Sequence, residues 1–90
     1  MYIVTIIPRN EGDDTVTHMR EHYTAARILH KAYVSQSQGS PESFAYIMTH
    51  KLMYNPLDFS YSTPILVEFY ECPLPQNVVE YNKPSEQLPL

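Results

Sequence analysis

From Tyr2 to Ile7 every residue except Thr5 is apolar or aromatic, and Ile3, Val4, Ile6 and Ile7 are β-branched. A run that is apolar on both faces predicts a strand at the centre of a sheet or covered twice. Pro8 stops it, and the polar stretch 8–14 (PRNEGDD) reads as a turn. Asp13, Asp14 and Thr15 then offer side-chain oxygens for orphan helix N–H groups. Val16, Met19, Tyr23, Ala26, His30 and Tyr33 follow at spacings of three and four. That periodicity predicts a first helix over 15–33 or 34. Ala25, Ile28, Leu29 and Ala32 widen its apolar stripe beyond what one sheet face covers.

The stretch 35–39 (SQSQG) predicts a loop. Ser40 as N-cap, Pro41 as the first helical residue and Glu42 in the first turn predict a second helix, ended near Tyr54 by Asn55-Pro56. Its main face holds Phe44, Ile47, Met48 and Leu52, while Tyr46, His50 and Met53 lie on roughly the opposite side. Residues 57–62 alternate apolar and polar, the pattern of a half-buried strand. Thr63-Pro64 is a turn, and beyond it Ile65, Val67 and Phe69 point one way while Leu66, Glu68 and Tyr70 point the other, so an antiparallel hairpin is expected. Val78 to Tyr81 is open to a short edge strand, and 82–90 (NKPSEQLPL) reads as a flexible tail.

The expected order is therefore β-α-α-β-β, with a last short strand optional. It describes an α+β fold in which two helices pack on one face of a small, mainly antiparallel sheet. A single compact domain over 1–81, with a tail at 82–90, matches the 90-residue length.

Composition narrows the function classes. Hydrophobic residues make up 43% and charged residues 18%, too apolar for a disordered chain. Six Lys+Arg against ten Asp+Glu give a net charge of −4, which argues against a dedicated phosphate-backbone binder. One cysteine, Cys72, cannot form an internal disulfide, and burial at a strand end is its expected place. Gly12 and Gly39 are the only glycines, so no glycine-rich phosphate loop exists. The opening apolar run is seven residues long with no basic start, and reads as a strand and not a signal peptide. No stretch approaches the ~20 apolar residues of a membrane span. A soluble cytoplasmic chain, in the host cytoplasm if the source is viral, is the expectation.

Three groups of residues could carry chemistry. His18-Met19-Arg20-Glu21-His22, on the first helix, would set two imidazoles one turn apart beside a carboxylate, a geometry able to hold zinc and polarise a water. It lacks an identifiable third ligand. Arg20, Arg27 and Lys31 would form a basic stripe for an anion or acidic partner, and a nucleic-acid contact there is a second alternative. Tyr46, His50, Met53 and Tyr54, with Ile28 and Ala32, form the apolar surplus that suits an interface.

The surplus carries the leading expectation: a small acidic protein-interaction module, homodimeric or bound to another protein, without a cofactor, acting by binding and not by catalysis. By analogy of size and class it would be a regulator or inhibitor, viral proteins that block host nucleic-acid enzymes being one such group. The alternative is a metal-dependent enzyme built on His18, Glu21 and His22.

Overall fold

The computed structural model describes residues 1–74. In chain order its elements are β1 (Tyr2–Pro8), β2 (Val16–Arg20), α1 (Tyr23–Gly39), β3 (Phe44–Lys51), β4 (Tyr54–Asn55), β5 (Ser60–Tyr61) and β6 (Ile65–Glu71). Among the described residues the fold is α+β with one helix. Four strands form a sheet in the order β2-β1-β3-β6, each neighbouring pair antiparallel, and β4 and β5 pair only with each other. The optional strand at 78–81 and the tail at 82–90 lie outside the described residues.

β1 is a central strand, as its two apolar faces demand, and it takes β2 and β3 as neighbours. Both neighbours correct the two-helix expectation. Residues 16–20 are a strand because the turn before them closes a hairpin: the Asp13 N–H donates to the Asn10 carbonyl at 3.2 Å, and Ile6 then lies opposite Val16. The acidic residues that looked like a helix cap are turn residues. The helix starts only at Tyr23, with His22 as a cap that makes no side-chain bond.

The expected second helix is strand β3. Ser40-Pro41-Glu42-Ser43 folds as a tight turn, with the Ser43 N–H donating to the Ser40 carbonyl at 3.0 Å. Proline after serine suits the second position of such a turn as well as the first turn of a helix. Beyond it, Phe44, Tyr46, Ile47 and Thr49 are strand formers that find an edge of β1 to pair with. The hairpin expected between 57–62 and 65–70 is also replaced. β6 pairs with β3, and only Ser60–Tyr61 of the earlier stretch is strand.

α1 crosses one face of the sheet over β1 and β3. The stripe Ala26, His30, Tyr33 and Ser37 continues the four-three-four spacing, so the helix runs through the expected loop to Gly39. Ser37 is buried there and donates its hydroxyl to the Val34 carbonyl at 2.6 Å, which removes the cost of its polarity. Under the helix lie Val4 and Ile6 from β1 and Ile47 from β3, joined by Ala26 and by Cys72 just after β6. Tyr2, Leu29, Tyr33, Val34, Phe44 and Tyr70 close the rim of this core. A helix ~10 Å wide covers about two strands at ~4.8 Å spacing. The central strands are accordingly sealed, while Val16 and Ile65 on the edge strands stay exposed.

Two polar groups tie the layers together. His30 of α1 shares a 3.0 Å hydrogen bond with the buried Thr49 hydroxyl of β3. Arg9, in the expected polar turn, is half-buried and reaches across the end of the sheet. Its guanidinium donates to the carbonyls of Pro41 (3.1 Å), Phe44 (2.9 Å) and Cys72 (2.9 Å). One side chain thereby joins the end of β1, the start of β3 and the exit of β6.

Two outcomes follow from these contacts. Arg9→Ala will destabilise the fold by about 2–4 kcal/mol in urea unfolding, because charge-assisted bonds to several carbonyls are lost together. Arg9→Lys will recover little of it, since an ammonium lacks the guanidinium fork. Burial holds the His30 imidazole below its ordinary range, against a smaller upward pull from the Glu68 charge. The unfolded chain therefore takes up this proton first, near pH ~6.5, and stability declines as the pH falls below that value until His30 protonates in the folded state. The urea midpoint of the native chain will drop more between pH ~7.5 and ~5 than that of His30→Gln, which keeps a polar partner for Thr49 but does not titrate.

Candidate interaction surface

Side chains alternate across a strand, so the residues between the core positions point to the sheet's other face. No described element covers that face. The register arranges it in three cross-strand rows. Met19, Ile3, His50 and Leu66 form the first, and Thr17, Thr5, Met48 and Phe69 the second. Ile7, Tyr46 and Glu71 form the third. Tyr46 and Phe69 stack with ring centroids 5.8 Å apart and planes 29° from parallel. Met19, Leu66 and Phe69 are each more than half exposed. The face carries one carboxylate, Glu71, at a corner. The other charged groups near the sheet point elsewhere: Glu68, on the helix side, accepts a 3.0 Å bond from the Tyr23 hydroxyl, which raises the Tyr23 pKa.

A second apolar feature is the arm formed by β4 and β5, which continues from the ends of β3 and β6. Its backbone is held by local bonds. The Ser62 N–H donates to the Met53 carbonyl (2.8 Å), the Leu57 N–H to Asn55 Oδ1 (3.0 Å) and the Ser60 hydroxyl to Asp58 Oδ1 (2.6 Å). The Tyr54 and Tyr61 rings pack at 5.0 Å. At the tip, Leu57 is 91% and Phe59 81% exposed. Phe59 has φ 55°, a left-handed conformation that costs a residue with a side chain about 1–2 kcal/mol. A strained, ordered tip with two large apolar side chains in water contributes little to folding and is suited to contact with another molecule.

The residues singled out from the sequence fall in three places. Tyr46 and His50 lie on the open sheet face. Met53 and Tyr54 belong to the arm. Ile28 and Ala32 lie on the solvent side of α1, where Ile28 is 65% exposed among polar neighbours. The open face also contains Ile3, Ile7, Met19, Met48, Leu66 and Phe69, none of which stood out in the sequence. Their signal was apolar residues at both odd and even strand positions, which is visible only once the strands are known. Leu57 and Phe59 had such a signal in the alternation of 57–62, but alternation identifies a face without saying whether anything covers it.

The two chemical motifs are taken apart. His18 lies in β2 and His22 at the start of α1, and a strand advances ~3.3 Å per residue against ~1.5 Å in a helix, so the one-turn spacing that would let both rings share an ion is lost. His18 Nε2 instead pairs with the Tyr33 hydroxyl at 3.0 Å. Among the described residues no three His, Cys, Asp or Glu side chains group as a metal site. Arg20 leaves the expected stripe too: it ends β2 and donates to the Met19 carbonyl at 2.7 Å, while Arg27 and Lys31 stay one turn apart on α1. Among the described residues no helix is long and apolar enough to cross a membrane. The chain matches no family model, no curated protein and no solved structure.

Proposed function

We propose that the chain is a small acidic protein-interaction module, a regulator or inhibitor that acts by binding another macromolecule and not by catalysis. The observation that carries this reading is the open sheet face: a broad, nearly uncharged and largely apolar surface across all four strands, most exposed at Met19, Leu66 and Phe69 of the edge strands. Water-exposed apolar area of this extent is retained in natural proteins mainly where something docks. The arm supports the same reading by a different geometry. The face is flat and broad, and the arm presents two side chains at a narrow tip, the form of an anchor that enters a partner's pocket.

The metal-enzyme alternative loses its helical spacing. The nucleic-acid alternative retains Arg27 and Lys31 on a chain of net charge −4, too few cations to neutralise a phosphate backbone.

The arm provides the test. Leu57→Glu with Phe59→Gly will leave the fold intact or slightly more stable, because glycine relieves the left-handed backbone. Quantitative capture from the native cell, read by mass spectrometry, will recover a partner near stoichiometry with the native chain, and the double variant will lose it. Equal recovery by the native chain, the arm variant and a face variant such as Leu66→Lys would remove the arm and the face as the binding surfaces, and recovery of no partner by the native chain would refute the binding role.

A further inference from the structure

Resting on the binding role just proposed, we infer that the occupant of the open sheet face is a second copy of this chain, stacked face to face about a two-fold axis. Three observations lead there. The first is charge. Two copies of a chain with net charge −4 repel each other, so self-association needs a face without fixed charge at its centre. The middle row, Thr5, Thr17, Met48 and Phe69, meets that need, and Glu71 stands at a corner. For two sheets to face each other the axis must lie in the plane between them, either along the strands or across them. An axis along the strands sets Glu71 over the β2 side of the other copy. An axis across them sets it over Leu66 of the other copy. Neither brings the two carboxylates together.

The second is area. Four strands at ~4.8 Å spacing and about six residues at ~3.4 Å make a face of about 400 Å² in projection. Weighted by exposure, its side chains present on the order of 600 Å² per copy, so stacking two faces buries on the order of 1,200 Å², the lower bound of a stable specific interface. The third is shape. An antiparallel twisted sheet with one face already packed on a helix meets a like sheet at ~10 Å separation and about −30°, the aligned arrangement of a β-sandwich. The tip of the arm lies beyond the end of the sheet and stays available for a different protein, so self-pairing and partner binding use separate surfaces.

Analytical ultracentrifugation of the full chain at micromolar concentration will show a dimer. Met48→Glu places a carboxylate at the centre of the stack and will weaken dimerisation by about a hundredfold or more. Leu66→Lys, at an exposed edge-strand position, will weaken it as well and covers the case in which Met48→Glu does not fold. Gln38→Lys, at an exposed position of α1, will leave the dimer unchanged. Circular dichroism and a cooperative urea transition check each fold. A dimer indifferent to both face variants would overturn the inference, since it would have to form elsewhere. A monomeric native chain would also overturn it. In that case an environment-sensitive apolar dye separates the two proposals: dye binding lost in Leu66→Lys leaves the face as a site for a foreign protein, whereas no dye binding removes that role as well.

Discussion

A single helix above a four-stranded sheet can cover only one of its faces, and the rest of the molecule is arranged around that limit. α1 has 17 residues and lies over the two central strands. Its inward stripe is small and polar in places, with Ala26, His30 and Ser37 buried. Small residues let the helix sit close to Val4, Ile6 and Ile47, and the His30–Thr49 bond fixes its position on β3 without leaving either polar group unsatisfied. The stability that the helix provides is confined to this face. The other face, though equally rich in Ile, Met, Tyr and Phe, receives none.

Polar groups within the fold act as joints between elements. Arg9 gathers the carbonyls of Pro41, Phe44 and Cys72, each more than thirty residues from it in sequence. Two bulges interrupt the strand pairing, one between Ile7 and Pro8 where β3 enters beside β1, and one between Thr49 and His50 where β6 meets β3. The second bulge lets Glu68 face α1 and Tyr23 while Leu66 remains beside His50 on the open side. Bulges bend and twist a strand locally, and here they shift the apolar residues of an edge strand onto the uncovered face.

The two apolar surfaces differ in how their backbone is supported. The sheet face rests on central strands whose backbone is hydrogen-bonded on both sides, flanked by edge strands paired on one, and a surface held in this way loses little entropy on association. The arm is tied to the sheet only through its two ends, yet local bonds order its tip. Phe59, at φ 55°, stores backbone strain at that tip. β2 separates His18 from His22 and Arg20 from Arg27, residues that a continuous helix would have aligned.

Much of this was legible from residues alone. The double-faced apolar run of β1, the strand-forming run of β6, the helical spacing from Tyr23 to Tyr33, the α+β class and the presence of more apolar surface than one small core can use all follow from local patterning. The identity of β2 and β3 did not. Residues four apart share a face in a strand as well as in a helix, so Tyr46 and His50 satisfy both periods, and Ser40-Pro41 begins a turn as readily as a helix. Those ambiguities are resolved by hydrogen bonds to β1, which belong to partners distant in sequence and do not exist until the sheet assembles. Composition and spacing thus determined that apolar surface would be left over; which element carries it, and that it forms one continuous face with a separate arm, was decided only by the long-range pairing of strands.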